Sequence, residues 1–443
     1  MTVTKWTDLL REHLQNLIRI DTTNPPGGET AACRYIADVL DRAGIEHRIY
    51  EPEPGRGSIV ARLRGDGSAR PLLLLSHLDV VPAEPEEWSR DPFGGELAEG
   101  EVWGRGALDC KGAVALWLTV LLRAKEEGLR LKRDIIFAAT ADEEAGGSLG
   151  VGWLVENHPE ELDAEYCLNE GGGASMVLGG RTFFTYQTAE KGICWLRLRA
   201  RGVGGHASVP HGENAVVRLA EAVARLGRSS LPVHLTETPE RFLRGIAEGL
   251  GRDLDLSDPV RQARALAGDE YQALTFLAML RNTACPTVLR AGSKTNVIPS
   301  GAEADVDCRL LPGQGPEDVL REVREVLGAE VLEHLELEVV RSGQPNWSSA
   351  DTELAAVIGE VLEQKRPGSV LVPLLVPGAT DARYLRSRGT TVYGFVPTLP
   401  DVDERSVHGV NERISLASLA FGLEVGWEVV RRMTGVERAH RTP

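Results

Sequence analysis

The chain is poor in cysteine and has no long apolar run. Six of its 443 residues are cysteine, and no two of them form a C-x-x-C pair. In a chain of this size such cysteines are typical of reduced, buried thiols in a cytosolic protein. The longest apolar run, residues 112–122, is too short to span a bilayer. Residues 1–6 contain no apolar signal core. We therefore expect a cytoplasmic protein that is not a membrane protein.

The chain also has no excess of positive charge. Its formal net charge is −16 at pH 7. The phosphates of a nucleic acid and an anionic membrane surface would both be repelled by such a protein. We therefore expect neither as a partner, and a small-molecule substrate fits the composition better. Part of the negative charge can be local, because a metal site needs carboxylates.

The first part of the chain alternates between helical and strand-like patterns. Residues 72–76, 134–140 and 164–169 are apolar without alternation, which is typical of strands covered on both faces. Residues 112–128 have the pattern of a helix between two of them. This rhythm predicts an α/β domain with a doubly wound, mostly parallel sheet. Residues 6–20 and a segment capped by Thr30 are predicted as helices before it.

The pattern changes near residue 191. Residues 194–200 and 302–310 alternate between apolar and polar side chains, which predicts an antiparallel sheet with one face exposed to solvent. Residues 214–226 and 316–327 are predicted as helices, and the α/β pattern returns after residue 350 and ends in a helix over residues 414–430. We expect residues 191–342 to form an inserted α+β domain, and residues 1–190 and 343–443 to form the α/β domain into which it is inserted.

Acidic and histidine side chains follow the predicted parallel strands. His77, the pair Glu143-Glu144 and Glu170 each come after one strand, and Asp109 precedes a helix. Ligands bind beyond the carboxyl ends of such strands, so these side chains are expected to converge. Several carboxylates at one place would repel one another unless cations neutralise them. Carboxylate and imidazole ligands favour two zinc ions, with cobalt or manganese as substitutes, and Asp109 as the bridge.

Each residue also has an ordinary structural interpretation. A single histidine after an apolar strand, such as His77, is usually structural, and Glu143-Glu144 alone would be read as a solvated pair. Asp79 could cap the turn that follows the strand. Ser148 lies in a G-x-S-x-G sequence, but that nucleophile motif requires its serine directly after a strand, and here both acids intervene. The metal-site interpretation therefore depends on the whole set.

The motifs HLDVVP, GRGALDCKG, DEEAGG, NEGGG, GGHASVP, NVIP and D-x-R-x-x-P-G occur in this order over nearly the whole chain. In this respect the chain resembles the family of dizinc metallopeptidases and amidohydrolases that includes aminoacylase, acetylornithine deacetylase, succinyl-diaminopimelate desuccinylase and carboxypeptidases G and S. The resemblance implies that His77, Asp109 and Glu170 hold one zinc. It implies that Asp109, Glu144 and His408 hold the other.

The resemblance also implies roles for five residues that are not ligands. Asp79 would hydrogen-bond the imidazole of His77 and fix its tautomer, and Glu143 would be the general base. His206 would stabilise the oxyanion from the partner subunit, which implies a homodimer. The insertion 191–342 would then be a lid or dimerisation domain, and residues 1–190 and 343–443 the catalytic domain. Asn296 and Arg309 would bind a substrate carboxylate. From the residues alone, Arg309 could instead pair with a neighbouring aspartate on its strand.

The sequence thus predicts a zinc-dependent hydrolase that cleaves an amide or peptide bond next to a free carboxylate, as a carboxypeptidase or N-acyl-amino-acid deacylase does. The alternative is a non-catalytic metal-binding regulatory protein of the same fold, which the presence of Glu143, a residue not needed as a ligand, disfavours. A dizinc phosphoesterase would need more cationic groups around the site than the chain offers.

Overall fold

The computed structural model describes residues 5–435. Its α-helices are α1 (Lys5–Ile18), α2 (Glu29–Ala43), α3 (Lys111–Glu126), α4 (Val151–Asn157), α5 (Pro159–Leu162), α6 (Ala215–Arg228), α7 (Glu237–Gly249), α8 (Pro259–Leu266), α9 (Glu270–Ala278), α10 (Pro316–Leu332), α11 (Glu353–Lys365), α12 (Ala382–Arg386) and α13 (Leu416–Thr434). Its strands are β1 (Glu46–Tyr50), β2 (Ser58–Leu63), β3 (Leu72–His77), β4 (Glu96–Ala98), β5 (Glu101–Trp103), β6 (Ile135–Thr140), β7 (Tyr166–Asn169), β8 (Ser175–Leu178), β9 (Arg181–Glu190), β10 (Gly192–Arg201), β11 (Gly205–His206), β12 (Thr283–Ala291), β13 (Val297–Ile298), β14 (Gly301–Leu310), β15 (Leu335–Gly343), β16 (Asn346–Trp347), β17 (Val370–Val376), β18 (Thr391–Gly394) and β19 (Arg413–Ser415).

Four parallel strands form the centre of the largest sheet. β6, β3, β7 and β18 lie side by side in that order. Every residue of β3, β6 and β7 is buried, as expected for strands between two layers of helices. The predicted α/β class is confirmed. The outer strands, however, are mostly antiparallel. Two of these pairs, β1–β2 and β8–β9, are joined by short connections, which antiparallel pairing allows. The sheet as a whole is therefore mixed rather than mostly parallel.

One buried helix supports the centre of the sheet. α3 is apolar on nearly all sides and packs against β3, α1 and α13, which agrees with the rule that such a helix lies inside a core. Trp117, at its middle, is fully buried. The helix starts two residues after Asp109, so its packing fixes the position of that carboxylate.

A second, antiparallel sheet has the order β12-β14-β10-β15. The side chains alternate along β10 and β14, and their apolar members pack under α6 and α10. Ion pairs such as Arg197–Asp305 cover the other face. The strands and helices predicted for residues 194–226 and 302–327 are therefore present.

The chain passes from the large sheet to the small one at Lys191, between β9 and β10, and returns between β15 and β16. Although helices α7 to α9 lie between these crossings in sequence, α7 packs against β9 and β17 of the large sheet, and α8 and α9 contribute to the same apolar cluster. The boundaries 1–190, 191–342 and 343–443 remain a prediction. Residues 1–4 and 436–443 lie outside the described residues. The expectation that residues 1–6 contain no signal core therefore falls mostly outside them.

Three local predictions are wrong. Thr30 does not cap α2, which already begins at Glu29; the Thr30 hydroxyl donates to Glu51 instead. Residues 413–415 form β19 and pair with β5, so the last helix begins at Leu416 rather than at residue 414. Cys285 is exposed, whereas the other five cysteines are buried. In the described part of the chain, every helix is too short or too polar to cross a bilayer.

Candidate metal centre

The carboxyl ends of the parallel strands deliver three of the predicted ligands. His77 is the last residue of β3, Glu170 directly follows β7, and Glu144 lies in a short 3-10 turn (Glu143–Ala145) after β6. Asp109 precedes α3, and His408 lies in the loop before β19. The structure brings all five side chains together, as the spacing predicts, because these strands end at the same edge of the sheet.

Asp109 lies between two groups of ligand atoms. Its Oδ1 is 2.9 Å from His77 Nε2, which is also 3.5 Å from Glu170 Oε2. Its Oδ2 is 3.0 Å from His408 Nε2, which is 3.2 Å from Glu144 Oε1. Within each group the ligand atoms lie within 4.8 Å of one another. A carboxylate that offers one oxygen to each group has the geometry of a bridging ligand.

The donor set fits two divalent cations. Glu144 Oε1 is buried and has no hydrogen-bond partner within residues 5–435, although His408 Nε2 is only 3.2 Å away. An oxygen and a ring nitrogen that lie this close without a hydrogen bond are placed to coordinate the same cation. Cys110 was not predicted as a ligand, but its thiol lies in the same group of candidate ligand atoms as His77 and Glu170.

The protonation of the metal-free cluster shows how strongly it attracts positive charge. The hydrogen bond to Asp109 and the nearby carboxylate of Glu144 raise the pKa of His408 to about 10. Burial favours the protonated form of Asp109, but hydrogen bonds from His408 and His77 outweigh it and hold its pKa well below the usual range. Burial raises the pKa of Glu170 to about 7. In the metal-free cluster, protons on these groups therefore supply the positive charge that bound metal ions would supply.

Glu143 is close to the cluster but belongs to neither ligand group. Burial, and then the negative charge of Glu170, raise its pKa well above the ordinary value. Within residues 5–435 its carboxylate makes no hydrogen bond or ion pair. A half-buried acid next to a candidate metal cluster, with both oxygens free, can accept and return a proton.

Residues 73–432 match the model of Peptidase family M20/M25/M40. The chain belongs to this family. It is 31% identical over 431 residues to the N-fatty-acyl-amino acid synthase/hydrolase PM20D1 of Xenopus tropicalis, a match that covers 92% of this chain and 82% of the relative. It is 24% identical to Aminoacylase-1 of Dictyostelium discoideum, with 96% and 97% covered. The M20 family metallo-carboxypeptidase Sso-CP2 of Sulfolobus solfataricus shares the fold, with a TM-score of 0.70, 18% identity, and 95% and 98% covered. The family resemblance seen in the motifs is confirmed.

Asp79 of this M20 chain has more contacts than the motif indicates. His77 Nδ1 donates to its backbone carbonyl at 2.9 Å, and the carboxylate Oδ1 is 3.4 Å from the same nitrogen. Its carboxylate instead accepts from the backbone N–H of Glu143 and of Glu144, each at 3.1 Å. Asp79 therefore orients the imidazole of His77 and holds the turn that carries Glu143.

Glu412 is a residue that the sequence analysis missed. It is fully buried and accepts hydrogen bonds from the backbone N–H groups of Gly106, Leu108 and Asp109 at 2.7–3.0 Å. Arg105 pairs with it at 2.9 Å. It thereby fixes the loop that presents the bridging carboxylate. No local signal could identify it, because about 300 residues separate it from its partners.

The remaining predicted residues lie apart from the cluster. His206 is exposed in a two-stranded ribbon of β11 and β13, and its Nδ1 lies 2.7 Å from the Ser208 hydroxyl. Asn296 adjoins the same ribbon, where its carbonyl accepts from the backbone N–H of Ala207. Arg309 makes two hydrogen bonds to Asp307, at 2.6 and 3.0 Å. Among the described residues, no hydrogen bond or ion pair joins any of the three predicted residues to the metal ligands.

Proposed function

We propose that this chain is a dinuclear-metal hydrolase that cleaves an amide or peptide bond next to a free carboxylate. Membership of the M20 peptidase family supports hydrolysis of such bonds. The observation that carries the dinuclear site is the position of Asp109, with one oxygen toward His77 and the other toward His408. Small peptides and N-acyl amino acids are the proposed substrates.

Five residues would hold two zinc ions, or cobalt or manganese in their place. His77, Asp109 and Glu170 form one site, and Asp109, Glu144 and His408 form the other. When bound, the ions lower the pKa of a water molecule and polarise the substrate carbonyl. His77 suits this role because its Nδ1 donates to the Asp79 carbonyl, which leaves the Nε2 lone pair directed at the cluster once its proton is lost.

Glu143 would act as the general base. Its carboxylate takes a proton from the attacking water and passes it to the leaving nitrogen, which must be protonated before the amide bond can break. The raised pKa supports this role, because a stronger base accepts the proton more readily and the resulting acid can still return it. The hydrogen bond from its backbone N–H to Asp79 keeps the side chain at the cluster.

The small sheet would supply the contacts that bind the substrate. We propose that His206 stabilises the oxyanion from a partner subunit, so that the enzyme is a homodimer. Asn296 and Arg309 would bind the substrate carboxylate. Asp307 holds Nε and Nη2 of Arg309, which leaves Nη1 available and the guanidinium oriented. Closure of this sheet over the cluster would then complete the site.

A substrate panel tests this proposal. The zinc- and cobalt-loaded protein is assayed with short- and long-chain N-acyl amino acids and with dipeptides, each beside its C-terminal carboxamide. We expect hydrolysis of at least one free acid, with kcat/KM about tenfold or more above that of its carboxamide, because a charge-assisted hydrogen bond is lost. A fully metal-loaded protein that hydrolyses none of them would contradict the proposal and favour a non-catalytic metal-binding protein.

A further inference from the structure

The turn that carries Glu143 is supported from behind by two side chains near the start of the chain. Asn24 and Arg56 both precede the residues that match the family model, 73–432. Neither lies in either ligand group of the cluster. Both make hydrogen bonds to carboxylates that hold the turn, so they can affect the base without touching it.

Asn24 joins two buried carboxylates through one amide group. Its Nδ2 donates to Asp79 Oδ2 at 2.9 Å and lies 3.5 Å from Asp142 Oδ1. Asp79 is fully buried, Asp142 is 3% exposed and Asn24 is 6% exposed, so water cannot readily replace these contacts. Since Asp79 accepts from the backbone of Glu143 and Glu144, the Asn24 amide fixes the acceptor on which the turn depends.

Arg56 provides the positive charge on the other side. Its Nη2 donates to Asp142 Oδ1 at 2.9 Å, and its Nε and Nη2 bind both oxygens of Glu29. The Glu29 side chain is fully buried, and the Arg56 side chain is 11% exposed. Glu29 in turn accepts from the backbone N–H of Asp142 at 3.3 Å. Both the main chain and the side chain of Asp142 are therefore held by this pair.

Asp142 transmits this support to the base. It directly precedes Glu143 and has a left-handed backbone with φ of 73°, a conformation that is unfavourable for a non-glycine residue unless its surroundings hold it. Its Oδ2 also accepts from the hydroxyl of Ser148 and the backbone N–H of Leu149. The carboxylate thus closes the loop of residues 142–149, and Arg56 and Asn24 hold the carboxylate.

We propose that Asn24 and Arg56 are positioning residues, which set the direction of the Glu143 carboxylate through Asp79 and Asp142. The inference rests on the proposed function. Proton transfer requires the base within hydrogen-bond reach of the water, and a displacement of about 1 Å can cost about 100-fold in rate. A turn released from its buried acceptors would move by such amounts while both metal sites stay assembled.

The first experiment compares Asn24→Ala with a matched control. Asn282→Ala removes an equally buried amide, which bonds Glu322 and the backbone of Leu311 far from the turn. At saturating zinc we expect kcat of Asn24→Ala to fall about 10- to 100-fold with KM within about threefold of wild type. Asn282→Ala should keep kcat within about twofold at a similar loss of Tm.

The second variant guards against simple unfolding. Arg56→Lys keeps the charge beside Glu29 but loses the fork that also reaches Asp142. Its control is Arg62→Lys, since Arg62 pairs with Asp134 at 3.1 Å and has a similarly covered side chain, 14% exposed. We expect a loss of kcat for Arg56→Lys that is smaller than that for Asn24→Ala, and no such loss for Arg62→Lys.

Hydrogen–deuterium exchange gives a readout that does not need turnover. Amides of residues 142–149 should exchange about tenfold faster in Asn24→Ala than in Asn282→Ala. Unchanged exchange in this segment, or kcat equal to that of the control, would overturn the proposal. If wild type itself hydrolyses no substrate, the proposed function fails, and the exchange result still decides whether Asn24 holds the turn.

Discussion

At the scale of single residues, the site shows how two adjacent acids take different roles. Glu144 directs an oxygen at His408 and Asp109, whereas Glu143 is half-buried and its carboxylate has no partner among the described residues. Four of the five candidate ligands could be predicted from the sequence because each follows a strand or precedes a helix, whereas His408, in the loop before β19, was predicted from the family resemblance. Glu412 and Asn24 could not, because their partners come from remote segments that only the fold brings together.

Glu143→Gln should separate catalysis from metal binding. Glutamine keeps the shape of the side chain but cannot accept the proton, so kcat should fall about 1,000-fold while two metals remain bound. Turnover at saturating substrate and metal content measure the two effects. Glu156→Gln, on the exposed side of α4, serves as the control and should match wild type. A near-normal rate for Glu143→Gln would refute the assignment of the base.

Metal affinity should increase as pH rises. The pKa of His408 is raised to about 10 and that of His77 also lies well above its ordinary value, so both are protonated at neutral pH in the metal-free protein. Each ion must displace such protons, which costs less at higher pH. Between pH 6.5 and 8.5 we expect Kd for zinc to fall about tenfold or more per unit.

Competition with a chelating dye measures that affinity. Calorimetry in two buffers with different ionisation enthalpies counts the protons released. An affinity that does not change over this range, with no proton release, would show that the histidines are already neutral.

At the scale of elements, the core strands were predictable and the short ones were not. β3, β6 and β7 are buried apolar runs, which have a clear signature. β19 has only three residues, and its Ile414 fits the apolar pattern of the helix that follows as well as a strand. The pairing of β18 with β7 places Gly394 against Asn169, the residue before a metal ligand, and no local pattern reveals this contact.

Two glycine substitutions should have opposite effects on stability. A Cβ on Gly394 would lie 2.0 Å from the backbone oxygen of Glu170, so Gly394→Ala must displace the loop of that ligand. We expect a lower Tm and weaker zinc binding. Gly227, inside α6, has nothing within 4 Å of its added Cβ, so Gly227→Ala should stabilise the protein by about 0.5–1 kcal/mol. Calorimetry with and without zinc measures the Tm of both variants. Equal changes in Tm for the two substitutions would contradict the contact at Gly394.

At the scale of the whole molecule, the metal ligands and the predicted substrate contacts belong to different parts of the fold. The ligands lie at the edge of the large sheet, whereas His206 and Arg309 lie with the small sheet and its ribbon. The sequence predicted both groups, but in the proposed mechanism they meet only through closure of the small sheet and a second subunit. These are properties of an assembly, which the pattern of one chain does not determine.

Mixing two inactive variants tests whether the site is shared between subunits. If His206 acts on the partner's metal centre, a hybrid of His206→Ala and Glu143→Gln contains one intact site. The purified hybrid should then have about half of wild-type activity, because one of its two sites is intact. The subunits are exchanged by co-expression with two affinity tags, and the purified hybrid is assayed. An inactive hybrid would mean that each chain supplies its own histidine.

The metal content of the chain tests the central claim most directly. Wild-type protein and Asp109→Asn are dialysed to equilibrium against zinc, and the bound metal is counted by mass spectrometry, with the exposed surface variant Asp66→Asn as control. The two groups that share Asp109 predict two zinc ions per chain in wild type and in the control, and less than one in Asp109→Asn. A saturated wild-type protein with one ion or none, or an Asp109→Asn protein that still binds two, would contradict the account.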